Sequence, residues 1–364
     1  MSVAIAAFPG RYQQGPGALK GAASEIRKYG SDVLLVADPY AAENIWPAYA
    51  EYFQDLNIII DVFGGECCEE EIDKTAAKAV SSGCKIIVAF GGGKTVDASK
   101  AVAHQLDLPI IIIPTAASTD APCSAVSVVY EPDGRVKKVL KLKANPQAVI
   151  VDTEIVAKAP VRLLVAGMGD ALATWFEADS VWRTRQNNVL GAVPVRTAHA
   201  LAHLCYDTIT EYGVLAKEAC MAGVVTPALE YVVEANTLLS GVGFESGGLG
   251  ASHAIHNGLT VLHETHNYLH GEKVAFGLLA SLFLTGKSPH TINKLYRLFK
   301  DIGLPTRLSD IGLAGISRDQ LMPAAISTCS PGSNIYHEPV EISPERVCDA
   351  MLAADLHGNS LTVN

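Results

Sequence analysis

Charge is scarce in this sequence. Asp, Glu, Lys and Arg make up 18% of its 364 residues, while apolar residues make up 49%. That balance suits a large buried core, or a subunit that also buries surface against copies of itself. The length leaves room for two domains. Basic residues are outnumbered, 28 against 38 acidic ones, for a formal charge of −10, and they form no run. This argues against nucleic acid and anionic membranes as partners. The sequence shows no positive patch leading into a long apolar run, and no uncharged stretch apolar enough to span a bilayer. Neither a signal peptide nor a membrane span is therefore expected. The eight cysteines contain no Cys-x-x-Cys pair and no framework spacing. Scattered cysteines of this kind fit reduced thiols in the cytoplasm. Repeats and low-complexity tracts are lacking as well.

What the sequence does have is histidine, in one place. Five of its eleven histidines fall between His253 and His270, in the stretch GFESGGLGASHAIHNGLTVLHETHNYLHGEK that runs from residue 243 to 273. Histidine is the commonest side-chain metal ligand and titrates near neutral pH. The glycines and other small residues from Gly247 to Ser252 let other groups approach the backbone closely. His253 and His256 share one face of a helix. His270 can join His253 at a metal only if the chain turns back, and Thr265-His266-Asn267 is the expected turn, with Ala275 to Leu284 as the next helix. Two histidines at helical spacing also occur without a metal; five in a Gly-rich apolar setting point more strongly to a site.

The first half of the chain alternates strands with helices. Residues 2–8 are expected as a short strand ended by Pro9-Gly10, and Ala18 to Tyr29 as a helix. Strands are expected at 32–38, 58–63, 85–91, 108–115 and 147–152, with a helix over 69–82. This alternation indicates a parallel sheet covered by helices. Asp38, closing an apolar strand, stands where dinucleotide enzymes hold a ribose diol, or serves as a cap beside Pro39. Gly91-Gly92-Gly93-Lys94-Thr95-Val96-Asp97 follows a strand and precedes a helix expected from Ala98 to Gln105. It is neither G-x-G-x-x-G nor a Walker A loop. Three glycines there suit a pyrophosphate cradle of another type, though a tight strand-to-helix turn is the plainer alternative. Thr115, Ser118, Thr119 and Asp120 sit at the carboxyl end of a strand, where open α/β sheets bind ligands; the same residue types also cap helices. Residues 124–130 and 135–142 are expected as a hairpin around the turn Glu131-Pro132-Asp133-Gly134.

From Thr153 onward apolar residues recur at helical spacing. The expected organisation is an α/β domain over 1–159 and an all-helical domain over 160–364. Pro160, Pro194, Pro227, Pro289, Pro323 and Pro344 are natural helix starts. Asp170, after Gly167-Met168-Gly169, is expected to open a helix, either as an N-cap or as the oxygen ligand that joins two histidines.

Five stretches taken together resemble the glycerol dehydrogenases of the iron-containing, group III, alcohol dehydrogenase superfamily. They are GGGKTVD, PTAASTDAPCSA, AGMGDALATWFEA, GFESGGLGASHAIHNG and HGEKVAFG. The resemblance covers nearly the whole chain and weakens after residue 285. It implies a dehydroquinate-synthase-like architecture, an α/β nucleotide-binding domain and an all-α domain with the active site in the interdomain cleft. It implies metal ligands at Asp170, His253 and His270, with zinc as the metal and iron(II) as the alternative. Iron-type relatives carry a further histidine at the position of Thr174, and this departure favours a three-ligand zinc site. The resemblance further implies NAD contacts at Asp38, Gly92, Gly93, Lys94, Asp97, Thr115, Ser118, Ser124, Val126 and Tyr130, and a polyol contact at Asp120. The implied reaction is oxidation of glycerol to dihydroxyacetone, or of related vicinal diols, by hydride transfer from a metal-bound secondary alkoxide to NAD. His256 either helps carry the proton away or is simply a packed histidine. His263 and His266 are expected as lining or turn residues. A homo-oligomer, octameric by resemblance, is the expected assembly.

Other activities on the same scaffold are a 2-oxo or 2-hydroxy acid oxidoreductase, a glycerol-1-phosphate dehydrogenase and a dehydroquinate-synthase-like lyase. Phosphorylated substrates want a basic cluster, and these motifs carry only Lys94 and Lys273. A non-catalytic nucleotide- or metal-binding protein is the alternative of a different class.

Overall fold

The computed structural model describes residues 3–131 and 135–361. Among them, eight strands form two sheets: β1 (Tyr12–Gly15), β2 (Asp32–Ala37), β3 (Asn57–Val62), β4 (Ile86–Gly91), β5 (Ile110–Pro114), β6 (Val126–Tyr130), β7 (Val136–Lys141) and β8 (Ala148–Asp152). Six of these make a parallel sheet in the order β1-β8-β5-β4-β2-β3, and β6 pairs antiparallel with β7. Strands β2, β4, β5 and β8 are buried along almost their whole length. That is why they read as unbroken β-branched runs, as strands covered on both faces do. The expected turn residues Pro132, Asp133 and Gly134 lie outside the described residues.

The start of the chain departs from expectation. Of the expected strand over residues 2–8, the described residues 3–8 form none; Ala4 makes one isolated parallel bridge, to Val193. The first strand is YQQG, an edge strand that pairs only with β8. One paired side and half-buried side chains leave it no apolar pattern to read. The following helix is also shorter than expected, a 3-10 turn at Ala18–Gly21 and then α1 (Ala22–Ile26). Buried Asp152, at the end of β8, accepts the backbone N–H groups of Gly17 (3.1 Å) and Leu19 (3.0 Å) and so fixes that turn.

The remaining helices are α2 (Glu69–Ser81), α3 (Gly93–Leu106), α4 (Thr153–Lys158), α5 (Val161–Thr184), α6 (Arg196–Met221), α7 (Pro227–Glu234), α8 (Ser240–Gly247), α9 (Ala251–Leu259), α10 (His270–Leu284), α11 (Pro289–Ile302), α12 (Arg318–Thr328) and α13 (Pro344–Ser360). A π-helical turn, Ala235–Leu239, joins α7 to α8. Most of the marked prolines do stand at helix starts, but Pro323 lies inside α12. There the start is set by a capping box in which the Ser317 hydroxyl accepts from Gln320 N and the Gln320 side chain accepts from Ser317 N.

By contacts the chain divides into two compact units. One holds residues 7–164 and 218–241 and carries the parallel sheet. The other holds 1–6, 165–217 and 242–364 and is built of helices. Residues 218–241, which lie past the expected boundary at 159/160, thus pack with the α/β unit. Among the described residues no helix is long and apolar enough to cross a membrane. All eight cysteines are free.

Candidate functional site

In the helical unit, Asp170, His253 and His270 converge. One ligand atom from each lies within 4.8 Å of the others. Asp170 Oδ1 is 3.2 Å from His253 Nε2 and 3.3 Å from His270 Nε2. Asp170 is not an N-cap, as one reading of the sequence had it. It lies well inside α5, fully buried. Glycines bring the three helices this close. A Cβ on Gly169 would stand 2.6 Å from the Gly271 carbonyl oxygen, and one on Gly271 would stand 1.9 Å from that of Ala166. A Cβ on Gly277 would meet the Ser252 carbonyl oxygen at 2.4 Å. So α5 meets α10 backbone to backbone beside Asp170 and His270, and α10 meets α9 beside His253.

Electrostatics reinforce the cluster. Burial works against the charge on Asp170, yet the imidazoles of His270 and His253 outweigh it and hold the carboxyl far below its usual range. Burial likewise opposes charge on His253, but Glu177 and Asp170 together raise its pKa well above the ordinary imidazole value. His256 goes the other way. Burial first, then His270, Lys273 and His253, push it well below that value. It lies beside His270, ring centroids 4.3 Å apart, with Nδ1 3.0 Å from Asn257 Oδ1. His263 and His266 meet edge to face at the turn after α9, ring centroids 5.0 Å apart, and His266 Nε2 bonds the Thr260 carbonyl at 2.8 Å.

One carboxylate oxygen and two imidazole nitrogens, mutually adjacent, with Asp170 and His253 buried and His270 half-buried, form a donor set that fits a divalent cation with a coordination position left over. Thr174, one turn after Asp170, is fully buried against α8; a Cβ on Gly243 would stand 2.5 Å from its Cγ2. A threonine there adds no imidazole to the set.

Two residues that sequence reasoning passed over support this region. Glu177 Oε2 lies 2.6 Å from His253 Nδ1, and its Oε1 accepts the backbone N–H of His253 at 2.9 Å. Its position two helical turns after Asp170 on α5 was the available signal. Glu338 accepts Ala251 N at 2.8 Å and the Ser180 hydroxyl at 2.6 Å. Burial pushes its pKa up to about 7 against those hydrogen bonds. Nothing local in the sequence marks Glu338, because its partners are remote along the chain.

The α/β unit gathers the expected nucleotide contacts. The chain runs outward from β2 to β3 and returns to β4 on the other side of β2, so the sheet's switch point lies between β2 and β4. Ligands of open α/β sheets bind outside the carboxyl ends of strands at such a point. Asp38 follows β2 there, Gly91 ends β4 and Gly92 follows it. Asp38 Oδ1 caps Ala41 N at 2.8 Å, while Oδ2 would lie 2.6 Å from a Cβ on Gly91. Helix α3 begins earlier than expected, at Gly93, with Gly92 as an N-cap lacking any side-chain bond. The first N–H groups of a long helix thus face outward from the glycine turn, the arrangement that favours an anion.

The other expected contacts cluster around this turn. Thr115 N bonds the Gly91 carbonyl at 3.1 Å. The neighbouring loop carries Ser118 and Thr119, and Thr119 Oγ1 would be 3.0 Å from a Cβ on Gly93. Lys94 pairs with Glu66 at 2.6 Å and lies over the Tyr130 ring, 5.3 Å from its centroid. Asp97 accepts Val128 N at 3.2 Å and pairs with buried Lys100 at 3.1 Å, which ties the hairpin to α3. Lys100, also missed in the sequence, donates to the carbonyls of Ala121 (2.8 Å) and Val126, and lies 3.5 Å from Ser124 Oγ. Asp120 is buried in the same unit, and its Oδ2 accepts the Ser240 hydroxyl at 2.8 Å. Asn236, in the π-helical turn, donates to the carbonyls of Ala117 (2.9 Å) and Leu164 (3.1 Å), so it braces the loop that carries Asp120.

A glycine-turned helix at the switch point of a parallel sheet, in a chain whose helical unit carries an Asp-His-His donor set, is the layout of a nucleotide-dependent enzyme with a candidate metal site. Residues 9–153 match the iron-containing alcohol dehydrogenase family. Over its length the chain is 52% identical to the glycerol dehydrogenase of Thermotoga maritima, with 96% of each chain covered. The crystal structure of a probable glycerol dehydrogenase from Sinorhizobium meliloti matches with a TM-score of 0.94 at 43% identity, over 98% of this chain and 100% of that one. That of glycerol dehydrogenase from Schizosaccharomyces pombe matches with a TM-score of 0.92 at 36% identity, over 99% and 92%. The chain belongs to the iron-containing alcohol dehydrogenase family. The resemblance to glycerol dehydrogenases read from its motifs holds over the full length.

Proposed function

We propose that this protein oxidises glycerol to dihydroxyacetone with NAD as the hydride acceptor, and that it also accepts related vicinal diols. The observation that carries this reading is the 52% identity to a glycerol dehydrogenase over 96% of both chains.

Asp170, His253 and His270 would hold the divalent cation, with zinc favoured by the three-ligand donor set and iron(II) the alternative. When bound, the cation supplies Lewis acidity that lowers the pKa of an alcohol. The chain's own residues would do the rest. The first turn of α3, from Gly92 through Lys94, would present backbone N–H groups to the pyrophosphate of NAD. Asp38 would take the ribose diol and repel a 2′-phosphate, favouring NAD over NADP. Asp120, held by Ser240, would accept a hydrogen bond from a second substrate hydroxyl and so select diols over simple alcohols. His256, one helical turn from His253 and next to His270, would either help carry the proton away or serve as a packed histidine. The cytoplasm is the proposed location, supported by eight free thiols. The proposed assembly is a homo-octamer, to be measured by light scattering.

The test is NAD reduction with glycerol by the purified protein, before chelation, after chelation and after zinc is added back. Activity that is lost on chelation and restored by zinc is the expected result. Asp170→Asn and His270→Ala should both abolish metal retention and turnover while leaving NAD affinity largely intact. Turnover that survives complete metal removal would end the metal-site reading. Activity confined to a 2-oxo acid with NADH would move the substrate while keeping the scaffold.

A further inference from the structure

We propose that Glu177 is a positioning residue for His253: its carboxylate keeps the ring proton on Nδ1 and so turns the Nε2 lone pair toward Asp170 and His270. This rests on the metal-site reading above.

The geometry is that of a two-point clamp. Glu177 Oε2 lies 2.6 Å from His253 Nδ1, and Oε1 accepts the backbone N–H of the same residue at 2.9 Å. One carboxylate thus grips both the main chain and the ring of His253, which fixes the ring's torsions. With one oxygen accepting the backbone N–H and the other 2.6 Å from Nδ1, the carboxylate is placed to accept from the ring as well, which puts the ring proton on Nδ1. The opposite nitrogen, Nε2, then faces Asp170 Oδ1, 3.2 Å away. Glu177 is buried, and it shares α5 with Asp170 two turns earlier, so one rigid helix delivers both the carboxylate of the donor set and the carboxylate behind its histidine. Gly250 makes this approach feasible. It caps α9 without a side chain, and a Cβ there would meet Glu338 Oε1 at 2.5 Å and Glu177 Cγ at 3.4 Å.

Glutamine cannot replace Glu177, because both its oxygens accept and an amide offers only one acceptor. Carboxylates behind metal-binding histidines contribute about 10- to 100-fold in metal affinity.

The experiment uses the metal-free full-length protein, with Zn²⁺ titrated in competition with a chromophoric chelator, for wild type and Glu177→Gln. The expected result is a zinc Kd raised about 10- to 100-fold in the variant. A cap that merely holds α9 in place would lower Tm and leave the Kd of the folded variant within about twofold of wild type; that result overturns the proposal. Should Glu177→Gln fail to fold, the zinc-loaded wild type decides through ¹⁵N-histidine spectra, with the His253 signal assigned by its loss in His253→Ala. A proton on Nδ1 of His253 supports the proposal, and a proton on Nε2 overturns it. A wild type that binds no zinc overturns the metal-site reading and this proposal together, whereas normal wild-type binding with an unmoved variant overturns this proposal alone.

Discussion

Glu338 is the residue at which acid and base should act on the fold. Its pKa rises from the ordinary 4.5 to about 7 in the folded chain. A carboxyl group raised on folding binds its proton more tightly in the native state. Its stabilising share is therefore complete below about pH 4.5 and is lost as pH climbs toward about 7. A shift of that size corresponds to about 3 kcal/mol. In Glu338→Gln that pH dependence should vanish, because the amide can accept from Ala251 and donate to Ser180 at any pH. Urea unfolding at pH 4.5 to 7.5 measures it; parallel loss of stability in both proteins would show that Glu338 does not titrate there. For Asp120 the test is kinetic. Asp120→Asn should raise KM for glycerol more than for a monohydric alcohol, and equal effects on both would reject its role. The residues that could be read in the sequence were those inside dense local motifs, among them Asp170, His253 and His270. Glu177 lay within a quoted motif but two turns from its acid, and only the fold shows what it touches. Ser240, Asn236 and Glu338 act across long stretches of chain, and no local pattern records that.

At the scale of elements, glycine decides where helices meet. Gly271→Ala would drive a methyl group to 1.9 Å from the Ala166 carbonyl, an obstacle made of backbone rather than of a side chain that can swing away. We expect α5 and α10 to separate, at a cost of about 2 kcal/mol or more, with loss of zinc retention. Gly92→Ala is the contrasting case. Its Cβ would meet no atom within 4 Å, so the cost should be confined to a poorer N-cap, about 1 kcal/mol or less. NAD should nevertheless bind more weakly, because the new methyl group stands where a pyrophosphate would approach the backbone. Calorimetry together with NAD titration separates the two effects, and unchanged NAD affinity in Gly92→Ala would count against the cradle. The elements most readable in the sequence were β2 to β5 and β8, because burial on both faces demands unbroken apolar runs. The start of α3 was hidden by its glycines, which suggest a loop although Gly93 already has helical backbone. Edge strand β1 was hidden by its polarity. The apolar residues 2–8 misled for the opposite reason, since a run of that kind with Pro9-Gly10 behind it need not find a partner strand.

For the whole molecule, metal and stability should be linked. A ligand that binds only the folded state adds about 2.7 kcal/mol when its free concentration is a hundred times Kd. Chelation should therefore lower Tm in the wild type and leave Tm unmoved in Asp170→Asn. An equal drop in both would mean that the chelator acts elsewhere. Composition and alternation were enough to indicate an α/β part followed by a helical part. What they could not convey is that compact units need not be continuous in sequence: residues 218–241 are helical in pattern, and helical pattern alone does not say which neighbour a helix will cover.

That discontinuity bears on how the chain is made. A ribosome releases the protein from its N-terminus, and domains generally fold as they emerge. Here the α/β unit cannot be completed on its first stretch alone, since Ser240 must reach Asp120 and Asn236 must reach Ala117. The nascent sheet would therefore wait, its loop after β5 unbraced, while residues 165–217 are synthesised. A pause in translation before residues 218–241 have emerged would hold the chain in that exposed state, whereas a pause after they have emerged would not.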